Sequence, residues 1–178
     1  YGLTAGIHSL DAKEVSSWID SVQAGNLYVN RGITGAIVQR QPFGGWKRSA
    51  IGPTAKAGGP NYLLTLTGFE TARSKSDFEI TNKRVLQALA LAASSELSDA
   101  ELESLLAGAR SDAENLENVF SKVVDPSALT VEKNLFRYRT AGTSLRIGKD
   151  STDYAQWRSV LTLLTLGKGR ISAFEIPK

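Results

Sequence analysis

Two short groups of residues have the composition of a ligand site. Thr34, Gly35 and Ala36 place a hydroxyl and closely spaced backbone N–H groups in a stretch with almost no side-chain cover, an arrangement suited to a carboxylate or a phosphate. Pro42, Phe43, Gly44 and Gly45 fix a turn and hold an aromatic ring beside permissive backbone. Together they predict a pocket with an anion cradle and an aromatic wall. A glycine-rich packing loop that binds nothing accounts for the same residues, and composition does not choose between the two. Around them Arg31, Arg40, Lys47, Arg48 and Lys56 stand with no acid in between, a stretch able to draw an anionic ligand or nucleic acid, or to serve as a solvated loop or subunit contact.

Other chemistries find no support. With no cysteine, these residues supply no thiolate nucleophile, disulfide or thiolate metal site. His8 is the single histidine and has no cluster of acids with metal-ligand spacing around it. Gly167, Lys168 and Gly169 lack the upstream glycine and the following Ser or Thr of a phosphate-binding loop. Ser49 and Ser127 have no histidine partner for a hydrolase triad. Asp99, Glu101 and Glu103 read as a solvated helix face.

The elements that must hold the two groups are legible from periodicity. Val15, Trp18, Ile19 and Val22 predict a helix over residues 11–24, capped by Asp11 and ended by Gly25. Residues 26–30 read as a strand, with Leu27 and Val29 alternating against Tyr28. Seven glycines and three prolines then fall between residues 32 and 60, more punctuation than a regular element tolerates. Loops this long are usually functional or disordered, and Ile33, Ile37, Val38, Phe43 and Trp46 argue against disorder. Residues 61–67 read as a further strand, pairing outside its own domain, and the polar residues 71–77 as a boundary.

Beyond it the sequence turns rich in alanine, leucine and acids. A helix is expected over residues 81–93 through Val85, Leu86, Leu89 and Leu91. Ser98 and Glu101 form a capping-box pattern. Leu102, Leu106, Ala109, Ala113, Leu116, Phe120 and Val123 continue as an amphipathic helix or helix pair, with a break at Gly108 and a stop at Asp125 and Pro126. The last part reads strand (Leu145, Ile147), helix (Tyr154, Trp157, Val160, Leu161, Leu164, closed by Gly167), strand (Ile171, Ala173, Phe174, Ile176), the start of a parallel α/β sheet.

Of the 178 residues, 42% are apolar and 22% charged, for a net charge of +3, which fits a folded chain with a core of real size. No run approaches the roughly 18 apolar residues that cross a bilayer, and no signal-peptide pattern opens the chain, so a cytoplasmic location is expected. The sequence starts at Tyr1 and holds no methionine, which predicts a piece of a longer polypeptide.

Several segments together resemble a known family: residues 1–6, the strand at 25–31, the turn at 34–36, Gln41 to Gly45, and Lys56 to Leu63. They are similar to the C-terminal part of the aldehyde dehydrogenase catalytic domain. More narrowly they resemble L-glutamate γ-semialdehyde (1-pyrroline-5-carboxylate) dehydrogenase, above all the form fused to proline dehydrogenase in bacterial proline utilization A proteins. The resemblance implies that the turn at Gly35 and Ala36, with Thr34, anchors the α-carboxylate of the semialdehyde, and that Phe43 is one wall of an aromatic box. It implies oxidation to L-glutamate by a cysteine thiolate through a thiohemiacetal, with hydride transfer to NAD and a glutamate as hydrolytic base. Cysteine and dinucleotide site are expected outside these residues, so this chain alone is expected to be inactive. FAD is expected only with a proline dehydrogenase domain upstream. Residues 132–139 and the strand-helix-strand after them resemble, less densely, the entry to a C-terminal α/β domain of the same enzymes.

The expected fold class is therefore α/β: an aldehyde dehydrogenase fragment over residues 1–75, a helical connecting segment over 76–128, and the start of a further α/β domain over 129–178. The expected partners are the semialdehyde, the rest of the same polypeptide and other copies in a homo-oligomer, with no nucleic acid and no membrane span. The competing reading is a non-catalytic module for assembly or for binding an anion or nucleic acid.

Overall fold

A computed structural model describes residues 1–37, 40–50, 56–70, 75–140, 142–148, 150–167 and 169–172. Val38, Lys168 and the strand residues Ala173, Phe174 and Ile176 lie outside them. The chain forms two compact units, Tyr1–Glu70 with Asp125–Phe136, and Thr71–Val124 with Arg137–Lys178.

The first unit is built on a strand-helix-strand. Strand β1 (Thr4–Ile7) runs parallel to β2 (Asn26–Val29), Thr4 opposite Asn26 and Ile7 opposite Val29. Helix α1 (Ala12–Ser21) connects them. Asp11 caps α1 as expected, its Oδ1 accepting from the N–H groups of Lys13 (2.8 Å) and Glu14 (3.4 Å). Val15, Trp18, Ile19 and Val22 form its half-buried stripe. The helix stops before Gly25, because Val22 is already extended at φ −70°, ψ 134°. Gly25 is needed for a different reason: a Cβ there would stand 1.8 Å from the Gly44 carbonyl oxygen. Tyr28 of β2 is buried, while Leu27 and Val29 are half-buried.

Residues 61–67 are not a strand. Tyr62–Leu66 winds as a 3₁₀ helix, with Tyr62 N–H donating to Gly59 O, Leu64 N–H to Asn61 O, and the Thr65 hydroxyl to Tyr62 O. A lone extended run would leave these groups unpaired, and short i→i+3 turns satisfy them locally. Leu63 and Leu66 remain exposed.

The second unit packs three helices, α2 (Lys83–Ala92), α3 (Asp99–Asn115) and α4 (Asp153–Leu166), around Ile80, Val85, Ala88, Ala92, Leu105, Ala109 and Leu161. The core stripe of α2 is Val85, Ala88 and Ala92, whereas Leu86 and Leu91 are exposed. Small alanines at the contact let helices approach closely, and of the predicted leucines only Leu89 packs, half-buried, against this core. On α3 the buried residues are Leu105 and the expected Ala109, while Leu106 is exposed. The helix passes through Gly108 without a break and ends in a π turn, Leu116–Phe120, well before Asp125. The capping box forms: Ser98 Oγ accepts from Glu101 N–H, and Glu101 Oε2 accepts from Ser98 N–H at 2.9 Å. Two-residue strands β3 (Val123–Val124) and β4 (Phe136–Arg137) follow. Strand β5 (Thr143–Arg146) then pairs parallel with β6 (Gly169–Ser172), joined through α4, which Gly167 closes at φ 71°. The predicted strand-helix-strand is present, with its first strand two residues earlier than the Leu145–Ile147 alternation suggested.

Candidate functional site

The glycine-rich loop leaves β2 through Asn30, whose left-handed φ of 57° an asparagine tolerates. Its side chain fixes the exit, Oδ1 accepting from Ser9 N–H and Nδ2 donating to Ser9 O, both at 2.9 Å. Arg31 then lies over the Tyr28 ring, 5.4 Å from its centroid. Further on, Gly35 takes φ 79°, a region costly for any residue with a Cβ, although a Cβ there would meet nothing within 4 Å. Thr34 and Gly35 are exposed and Ala36 half-buried. Among the described residues no acceptor takes the N–H groups of Gly35 and Ala36. Ile37 closes the turn: its carbonyl accepts from the N–H groups of Arg40 (3.1 Å) and Gln41 (2.8 Å), and its own N–H donates to Gln41 Oε1 at 3.0 Å.

Phe43 is held by an antiparallel bridge to Ala57, with Phe43 N–H to Ala57 O at 3.0 Å and Ala57 N–H to Phe43 O at 2.9 Å. Asn26 ties the same turn to the start of β2, its Nδ2 donating to Pro42 O at 3.2 Å and its Oδ1 accepting from Gly44 N–H at 3.4 Å. The close approach of Gly25 to Gly44 completes the attachment. Lys56 packs against Gly44 and donates from Nζ to Gly25 O, and burial lowers its pKa.

These contacts create a cavity of about 300 Å³ lined by Ala36, Gln41, Phe43 and Ala57. Phe43 is 57% exposed, which leaves it available to a ligand. Two of the four residues singled out from the sequence, Ala36 and Phe43, therefore share one cavity. Thr34 and Gly35 precede Ala36 on the same turn but do not line it. Gln41 and Ala57 were missed. Gln41 has an ordinary loop position in sequence, and Ala57 reaches the cavity only because its strand-like bridge brings it opposite Phe43.

The basic stretch is in good part spent on structure. Arg31 Nη1 pairs with Glu132 Oε2 at 3.0 Å, Arg40 Nη1 approaches Glu132 Oε1 at 3.8 Å, and Lys56 serves the Gly25 carbonyl. Such pairing weakens the case for a nucleic-acid or general anion surface.

A second cavity, of about 430 Å³, lies in the second unit beside Leu145, Arg158, Thr162 and Leu163. Asp112 engages the guanidinium of Arg158 through two bonds of 2.6 and 2.8 Å, and this hydrogen bonding raises the arginine pKa further. The cation is thus committed within the protein. Among the described residues no group of three His, Asp or Glu side chains could hold a metal ion. Among the described residues β1 reaches α1 through His8, Ser9, Leu10 and Asp11, with Ser9 engaged by Asn30 and Asp11 by the helix cap.

Comparison with known proteins gives a family match for the first part of the chain. Residues 1–71 match the Aldehyde dehydrogenase family. The particular relatives are narrower. The bifunctional protein PutA of Escherichia coli is 50% identical over 66 residues, 37% of this chain and 5% of that protein. A 1-pyrroline-5-carboxylate dehydrogenase of a Geobacillus species is 48% identical over 64 residues, covering 36% of this chain and 12% of the relative. Among solved structures, Proline Utilization A (PutA) from Corynebacterium freiburgense superposes with a TM-score of 0.73 at 39% identity, over 99% of this chain and 17% of that one. The likeness to PutA thus extends through both units, while the chain spans only a small part of the length of each relative. Among the described residues no helix is long and apolar enough to cross a membrane.

Proposed function

We propose that the first unit is the substrate-recognition end of an NAD-dependent L-glutamate γ-semialdehyde dehydrogenase acting in proline catabolism in the cytoplasm. On this reading residues 1–75 complete the aldehyde dehydrogenase domain, 76–128 connect, and 129–178 begin a further α/β domain. On this reading the thiolate nucleophile, which these residues lack, and the NAD site belong to other parts of the enzyme.

The observation that carries the reading is the joint placement of Ala36 and Phe43 on one cavity, beside a left-handed Gly35 with open space around it. The α-carboxylate accepts hydrogen bonds from the Gly35 and Ala36 N–H groups, and the aliphatic part of the semialdehyde lies along the Phe43 ring. Backbone donors suit this task because they are fixed before the ligand arrives. Thr34 offers a hydroxyl on the same exposed turn.

The test is made in the intact enzyme carrying this sequence. Hydrogen bonds to a charged group contribute about 1.5–3 kcal/mol, so Gly35→Val, which distorts the left-handed turn, raises KM for glutamate semialdehyde about 10- to 100-fold. A small aliphatic aldehyde has no carboxylate to lose, and its KM moves far less. Equal losses on both substrates would assign Gly35 to folding and remove the carboxylate anchor.

A further inference from the structure

We infer that the segment Asp125–Phe136, although some ninety residues further along the chain, is a clamp that sets the carboxylate-binding turn, with Asn134 as its central positioning residue; the inference rests on the substrate reading above. The turn itself has few internal restraints. Its trailing end is fixed where Gln41 Oε1 accepts from the Ile37 N–H, and the orientation of that amide is set from elsewhere. Gln41 Nε2 donates to Asn134 Oδ1 at 2.8 Å. Asn134 is 7% exposed, and its other amide atom is also committed: Nδ2 donates to Ser127 Oγ at 2.8 Å and to Glu132 Oε1 at 3.2 Å.

The clamp is itself a built loop. Asp125 Oδ1 accepts from Ser127 N–H (3.1 Å), Ser127 Oγ (2.8 Å) and Ala128 N–H (3.1 Å), and Asp125 Oδ2 accepts from Asn134 N–H (3.2 Å). Ala128 is held at φ 44°, a conformation an alanine keeps only when its surroundings impose it. Glu132 grips both flanks of the turn, Arg31 before it and Arg40 after it. Asn134 and Glu132 thus define where the hoop between Arg31 and Gln41 begins and ends. A buried amide with both ends satisfied orients its neighbour strongly, because any rotation leaves a polar atom unpaired in a place water does not reach.

Asn134 touches no substrate, so its removal acts on recognition through Gln41 and Ile37. In the intact enzyme, Asn134→Leu is expected to raise KM for glutamate semialdehyde about tenfold, the effect of one lost buried hydrogen bond, with kcat changed little. KM for a small aliphatic aldehyde stays within about twofold. Gln41→Leu gives a shift of similar size, and the double variant is no worse than the larger single, because both act on one path. Equal shifts on both substrates, additive singles, or no shift overturn the clamp. Should Asn134→Leu not accumulate as folded enzyme, Ser127→Ala, which removes one of the two partners of Nδ2 together with the hydroxyl bond to Asp125, carries the same test with a smaller shift in the same direction. Gly35→Val separates the two levels. If Gly35→Val discriminates between the substrates and Asn134→Leu does not, the clamp alone falls. If neither discriminates, the carboxylate assignment falls with it.

Discussion

Replacing Gly108 by alanine sets two effects of opposite sign against each other. Gly108 lies in the middle of α3, where alanine is favoured over glycine by about 1 kcal/mol, so helix propensity alone makes Gly108→Ala stabilising. The structure reverses the sign. A Cβ at position 108 would stand 2.7 Å from Arg158 Nε and 3.1 Å from its Cζ, and the guanidinium must retreat by about 0.7–1 Å to reach ordinary contact. An unrestrained arginine would do so at little cost. This one holds Asp112 through both Nη atoms, with only 31% and 21% of the two side chains exposed. Such a displacement carries the two bonds past the roughly 3.2 Å at which they weaken. Losing their alignment costs about 2 kcal/mol, the range of a charge-assisted hydrogen bond. Gly108→Ala is therefore expected to destabilise by about 1 kcal/mol, read as a lowered midpoint in urea denaturation followed by far-UV circular dichroism. In an Asp112→Ala background the arginine can swing away, and the same substitution should raise stability by about 1 kcal/mol. A stabilising Gly108→Ala in the native background, or the same effect in both backgrounds, refutes the steric coupling.

Two further outcomes are expected. Gly25→Ala drives a Cβ to 1.8 Å from a backbone oxygen that no rotamer change can relieve, so it should cost more than about 2 kcal/mol. Gly32→Ala, where the added carbon meets nothing within 4 Å, is the control and should leave the thermal midpoint nearly unchanged. The Ser98 hydroxyl and then its N–H stabilise the Glu101 carboxylate and lower its pKa. The folded chain accordingly binds fewer protons than the unfolded one just below the ordinary glutamate value, and this contribution is present at neutral pH and lost as pH falls through the lowered pKa. The stability difference between the native chain and Glu101→Gln should shrink between about pH 5 and 3, and a constant difference across that range counts against the assignment.

Residues read locally were read well. Asp11 and Ser98 each cap the helix that follows, because a cap needs only its own side chain and the next three N–H groups; Asn82 and Thr152 do the same for α2 and α4 and went unread. The parallel strand-helix-strand around α4 follows from the same kind of signal. The turn at residues 34–36 and the Phe43 turn were visible because glycine and proline act on the backbone where they stand. Tyr62–Leu66 was misread because its leucines fit a strand, while the nearby Gly59 and Asn61 carbonyls captured its N–H groups first. The same limit hid Leu105 and promoted Leu106: both fit a 3.6-residue period, and only the placement of neighbouring helices chose the buried one.

By itself the sequence determined the caps at Asp11 and Ser98, the helix-forming stretches, the absence of a thiol from these residues and the two halves of a candidate pocket. Tertiary structure decided that Ala36 and Phe43 line one cavity with Gln41 and Ala57, and that Arg31, Arg40 and Gln41 answer to Glu132 and Asn134. The physical reason is range: backbone preference acts over three or four residues, whereas a hydrogen bond spanning 93 positions, as between Gln41 and Asn134, exists only once the chain has closed on itself.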